Sequence, residues 1–298
     1  VGKRKKKKGE GGQSKTKAAL YMVLAALAFS LTAAAVKILP DDIPAEQKLL
    51  SRSFVAILVT GLLISIRRDS TFRTKNPKLL AVRSVLGLSA MFCYFTAIVG
   101  LPLSEAVTLN HLSPFFVALF AALFLGERLV KFQVVAIITA FLGTLLVLRP
   151  GLISFTQYAL LGLLSAVLAG GAYATLRALR KFDSPQTIVF WFSLFMFVVA
   201  FPMTISRGRL PSFEEFVILG ALGVGGVVGQ LSVTAAYRYA PGGEVAIYNY
   251  LGVAFSMLWQ VGFFEDSLSV LPTIGAIVIV GGAYLNWRSK SGSDFKRG

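Results

Sequence analysis

LPLSEAVTLNHLSPFF (Leu101–Phe116) and APGGEVAIYNYLGVAF (Ala240–Phe255) read as two copies of one segment. A constant offset of 139 residues aligns Pro102 with Pro241, Glu105 with Glu244, Asn110 with Asn249, Leu112 with Leu251 and Phe116 with Phe255. The register continues without a gap through Leu129/Leu268, Gly143/Gly282 and Arg149/Arg288, and upstream it pairs Gly87 with Gly226. The first apolar run fits the sixth at nearly the same offset, with Lys37 near Arg177. Shared hydrophobicity can match Leu with Leu, but it does not match Pro, Glu, Asn and Arg in one register.

The sequence around these copies is apolar. Of 298 residues, 55% are hydrophobic and only 15% charged, with mean hydropathy +0.71. A soluble domain carries about 25% charge, so this composition needs lipid as its solvent. Runs of about 20 apolar residues recur at roughly 18–39, 47–66, 79–99, 103–125, 131–148, 158–179, 186–205, 214–238, 242–264 and 270–287. They lack sustained alternation and are too long for barrel strands. The first run exceeds the 7–15 residue core of a signal peptide, so it reads as a retained span. The expected fold is an all-α integral membrane protein with ten transmembrane helices.

Charge orients these spans. With both termini cytoplasmic, only Lys37, Lys48, Arg52, Arg149, Arg207 and Arg209 of the 30 basic residues fall on the outer side, the asymmetry that the positive-inside rule describes. The net charge of +16 therefore belongs to loops and tails, not to a nucleic-acid face. Each copy holds five spans. Five is odd, so the second copy enters the bilayer from the opposite side, giving two inverted-topology repeats around a central cavity. The expected division is a disordered basic tail at 1–17, a first repeat at 18–149, a second at 158–288 and a cytoplasmic tail at 289–298. The Lys3–Lys8 run would attract anionic lipid.

The pieces RSVLGLSAMFCYFTAI, SEAVTLNHLSPFFVALFAALFLGERL and FLGTLLVLRPG resemble the EamA domain of the drug/metabolite transporter superfamily. The run Pro114–Leu129, with Leu125-Gly126-Glu127-Arg128, is its most specific part, and Arg52 with Ala56 resembles the pattern of its second helix. The second copy departs: Phe264-Glu265-Asp266-Ser267 stands in place of the L-G-E-R motif, and Val253 in place of the proline. The resemblance covers about residues 18–288. It implies a ten-helix bundle that moves small metabolites, such as amino acids and their derivatives, nucleobase-like compounds or S-adenosylmethionine, across the plasma membrane (the inner membrane of a prokaryote).

Polar residues inside the spans mark the expected cavity, because groups at membrane depth must line water or pack on protein. Span 4 carries Asn110, the only histidine, His111, and Pro114, which cannot donate to the Asn110 carbonyl. His111 is a candidate ligand or proton group; its plainer role is packing glue between helices. Tyr248, Asn249 and Tyr250 mirror it in span 9, where aromatic faces and an amide suit a planar or zwitterionic solute; interfacial placement is the plainer reading. Span 8 sets Gln230, Thr234 and Tyr237 on one stripe. Gly225 and Gly229 beside them read as close helix contact. Span 6 contributes Tyr173 and Arg177, the latter near enough to the cytoplasmic end to snorkel; span 3 contributes Tyr94. Glu105 and Glu244 open spans 4 and 9, either complementing helix N-termini or acting as a pair of gates.

Nothing points to chemistry. No Ser-His-Asp set, metal-spaced His/Cys cluster or pair of midplane carboxylates is present, and the single cysteine, Cys93, allows no internal disulfide. No catalytic residue, metal or cofactor is expected. The expected partners are a small-molecule metabolite, the lipid bilayer and a second copy in a homodimer, with no nucleic acid. The reading is a secondary transporter working by alternating access, set against a lipid-headgroup flippase or pore and, less well supported, an intramembrane enzyme.

Overall fold

The computed structural model describes residues 2–66, 71–125, 156–239 and 246–264, with 135, 138, 139, 142, 274, 277 and 278. Among these there are helices and no strands. The helices are α1 (Gly2–Ile38), α2 (Ala45–Ile66), α3 (Pro77–Gly100), α4 (Leu103–Asn110), α5 (Ser113–Leu125), α6 (Gln157–Leu179), α7 (Pro185–Arg207), α8 (Phe213–Tyr239), a 3₁₀ helix (Ala246–Tyr250) and α9 (Leu251–Phe264). Seven spans among the described residues are long and apolar enough to cross a membrane, with α4 and α5 counted as one. The fifth and tenth expected spans lie almost wholly outside the described residues.

Local chemistry sets the helix starts. Asn76, Thr156 and Ser184 accept from the backbone N–H groups of Leu79, Ala159 and Thr187, and Pro77 and Pro185 follow two of these caps. Such caps satisfy N–H groups that the helix itself leaves unpaired. Helix α1 begins at Gly2 and carries the first apolar run.

The fourth span is not one helix. α4 ends at Asn110, His111 and Leu112 turn, and α5 starts at Ser113. Leu112 N–H donates to Leu109 O and Phe115 N–H to Leu112 O, both three residues back. Pro114 sits in the first turn of α5, where its missing N–H costs nothing. The ninth span departs likewise: Tyr248, Asn249 and Tyr250 lie in the 3₁₀ turn before α9.

Packing follows the repeat. The most extensive contacts are α1 with α8, α3 with α6 and α2 with α7. Exchanging α1 with α6, α2 with α7 and α3 with α8 maps this set onto itself. Small residues allow the close approach: a Cβ on Gly225 would crowd Thr32 of α1, and one on Gly229 would strike Phe29. Large apolar side chains such as Leu62, Phe124 and Ile205 point outward, as lipid-facing residues do.

The ends of the helices fix their directions. On one face, Arg209 between α7 and α8 bonds Asp42 between α1 and α2 (Nε to Oδ2, 2.6 Å), and Gln47 Nε2 donates to Arg209 O (2.7 Å). On that face too, Lys37 Nζ donates to Ile98 O, Val99 O and Leu101 O at the end of α3. Tyr158, at the start of α6, packs on Gly100 there. On the opposite face, Thr74 Oγ1 donates to Asp183 Oδ2 (2.6 Å) and Thr187 Oγ1 to Thr71 O (2.6 Å). So α6 starts where α1 ends, α7 ends where α2 starts, and α8 starts where α3 ends. Each helix runs antiparallel to its counterpart.

Candidate functional site

A cavity of about 80 Å³ lies at the seam of the two sets of helices. Phe29, Ser30 and Thr32 of α1, Arg52 of α2, Arg83 and Tyr94 of α3, and Asn110 with His111 form one side. Ala172 and Tyr173 of α6, Phe192 of α7, Gln230 of α8 and Asn249 of the 3₁₀ turn form the other. The volume holds several waters, whereas sites for metabolite-sized ligands reach several hundred Å³. A solute of that size must therefore widen it.

The helix break places His111 across the seam. Its Nδ1 lies 2.7 Å from Val107 O and its Nε2 2.8 Å from Asn249 O. Gly252 leaves room for this ring, since a Cβ there would overlap Nε2. Asn110 Nδ2 donates to Ser165 Oγ of α6 (3.0 Å), a second polar link across the seam. Tyr250 is buried, its ring 6.3 Å from that of His111 and its hydroxyl without a hydrogen-bond partner among the described residues.

Six sequence candidates thus line the cavity: Tyr94, Asn110, His111, Tyr173, Gln230 and Asn249. Others lie elsewhere. Thr234 Oγ1 donates to Gln230 O within its own helix. Tyr237 packs in a separate apolar cluster, its ring 6.3 Å from that of Tyr173. Tyr248 is half-buried beside both clusters. Arg177 does not snorkel: it is 3% exposed, enclosed by protein near the end of α6. Pro114 is buried in α5, Glu105 is half-buried in the first turn of α4, and Glu244 lies outside the described residues.

Two arginines were not among the candidates. Arg52 is 6% and Arg83 3% exposed, and both line the cavity. Arg52 Cζ lies 5.5 Å from the Phe29 ring centroid; Arg83 Cζ lies 4.3 Å from that of Phe192 and 5.9 Å from that of Tyr173. These faces supply cation–π attraction but no hydrogen-bond acceptor. Arg83 Nε and Nη1 have no partner among the described residues, nor does Gln230 Oε1. The signal was present, since Arg83 falls inside the span at 79–99 and ionisable residues at membrane depth are functional by default. The charge count had absorbed both arginines into the loops. No His, Cys, Asp and Glu cluster able to hold a metal exists among the described residues.

Antiparallel counterparts enclosing a polar cavity define a multi-pass membrane protein built on an internal repeat. The chain belongs to the EamA-like transporter family, whose model matches residues 16–149 and again 156–288. It is 36% identical over 275 residues to the pseudopaline exporter CntI of Pseudomonas aeruginosa, covering 92% of this chain and 96% of that one. A riboflavin transporter of Brucella anthropi is 29% identical over 255 residues, covering 81% and 87%. One solved crystal structure, 23% identical, superposes with TM-score 0.72 over 90% of this chain and 95% of the other, which shows a shared fold.

Proposed function

We propose that the chain is a secondary transporter that moves a small polar metabolite across the plasma membrane through the central cavity. In this reading ten spans form two inverted five-span repeats with both termini cytoplasmic. The repeats rock about their seam and open the cavity to alternate sides. The observation that carries it is the antiparallel run of α1/α6, α2/α7 and α3/α8 around one polar cavity. Asn110, His111, Tyr94, Tyr173, Gln230 and Asn249 contact the solute, and His111 bridges the halves. The similarity to an exporter over 92% of the chain favours export as the direction.

The test is flux through purified protein in liposomes, after a melting-temperature screen of metabolites selects ligands. Saturable counterflow of a labelled solute is the expected result. Linear, unsaturable flux identifies a pore, scrambling of labelled lipid a flippase, and a chemically altered product an enzyme; each would overturn the reading.

A further inference from the structure

The cavity holds two cations and, among its described lining residues, no carboxylate. Arg52 and Arg83 are each more than nine-tenths buried, and neither is in an ion pair among the described residues. Their electrostatic neighbours are each other, Tyr94 and Tyr173. Such an arrangement is costly at membrane depth unless an anion completes it. The fold also keeps space for both. A Cβ at Gly87 would overlap Arg83 Nη1, and one at Gly226 would press on the Arg52 side chain. These two glycines occupy equivalent positions in the repeat.

We propose that Arg52 and Arg83 form an oxyanion subsite, so that the solute carried is a small organic acid. A guanidinium presents a planar fork of donors that matches carboxylate or phosphate oxygens. The unpaired nitrogens of Arg83 are donors awaiting such an acceptor. The rings of Phe29, Phe192 and Tyr173 lie beside the two guanidinium groups and offer an apolar surface to the rest of the solute. Gln230 Oε1, buried and without a partner, accepts from an N–H or O–H of the same molecule. An amino-acid-like anion meets all of these requirements. Binding converts the repulsion between two like charges into attraction of both to a shared anion, which would draw α2 and α3 together around it. The inference rests on the transporter reading for the statement that the anion is carried; the subsite itself does not.

The experiment uses the full chain, purified in detergent at fixed ionic strength. Melting temperature is followed against glutarate, L-glutamate and glycerol phosphate, with glutaramide as the neutral analogue. At least one anion is expected to raise it saturably by about 4 °C, with glutaramide inert. Glutarate and glutamate against glycerol phosphate separate carboxylate from phosphate. Arg52→Gln and Arg83→Gln, checked for monodispersity, should weaken the response at least tenfold in midpoint concentration. Arg52→Lys and Arg83→Lys keep the charge and should retain part of it. No response to any anion, an equal response to glutaramide, or an undiminished response in both Gln variants overturns the subsite. Counterflow in liposomes separates the two readings. Saturable exchange of a solute that both Gln variants leave unchanged removes the subsite and keeps the transporter. Anion binding lost in the Gln variants, with no saturable flux of any solute, keeps the subsite and removes the transporter.

Discussion

His111 is held between two carbonyl oxygens, one from each half of the molecule. A neutral imidazole has one N–H and can donate to only one of them; the protonated ring donates to both. The Nε2–H tautomer and the protonated ring both tie the end of α4 to the 3₁₀ turn, since each donates from Nε2 to Asn249 O. Replacing it with Ala removes that tie at the cavity wall. The loss of one buried hydrogen bond, about 1 kcal/mol, should slow transport about fivefold if it falls on the transport step. Initial rates in cells, compared at equal membrane abundance, check this. Unchanged kinetics for His111→Ala would take the residue out of the solute path. Gly252 is the matching test of shape: Gly252→Ala pushes on the ring and should cost about 1–3 kcal/mol of overpacking, seen as a lower melting temperature.

Asp42 illustrates charge outside the membrane. Hydrogen bonds from Arg209 hold its carboxyl below the ordinary value of 3.8. A carboxylate depressed by folding adds stability that is fully present above its unfolded value and is lost as pH falls through the folded one. The pair is exposed and the gain correspondingly small. Asp42→Asn should narrow its deficit in melting temperature against the parent chain on acidification below about pH 4. A deficit constant from pH 7 to pH 3 would contradict the assigned ion pair.

At the scale of the element, the fourth span shows what sequence can and cannot say. Pro114 signalled an interruption, and the structure has one. Its form is different: the chain turns at His111–Leu112 and restarts, because proline fits a first helical turn better than an interior one. Pro114→Ala removes the block on continuing the helix. The span is then expected to straighten, to draw His111 from Asn249 O, and to lower transport without loss of thermal stability. Transport at the parent rate would show that the break is incidental. The polar stripe of α8 was legible only in part. Periodicity gives the face a side chain occupies but not the neighbour it meets. Gln230 thus reached the cavity while Thr234 and Tyr237 packed elsewhere. Arg52 and Arg83 were hidden for a related reason. A cation near the end of a span reads as a loop charge until the structure shows what surrounds it.

At the scale of the molecule, the repeat was legible because Pro, Glu, Asn and Gly matched in one register, and antiparallel counterparts are its geometric consequence. The same exchange relates the two faces. On one, Gln47 at the start of α2 bonds the α7–α8 connection at Arg209, which also binds Asp42 and Glu215. On the other, Thr187 at the start of α7 bonds the α2–α3 connection at Thr71, and Asp183 binds Thr74 Oγ1 and Lys75 N–H. Each set joins the two halves at one end of the helices. Alternating access requires that one set open while the other holds.

Side-specific labelling tests this most directly. In a Cys93→Ala background, a cysteine replaces Ala172 on the cavity wall, and a short cross-linker between paired cysteines locks either Asp42 to Arg209 or Thr74 to Asp183. The account predicts that a membrane-impermeant maleimide reaches Cys at position 172 only from the face left unlocked, and that access reverses with the lock. Labelling from both faces whichever lock is set, or from the same face under both, would contradict it.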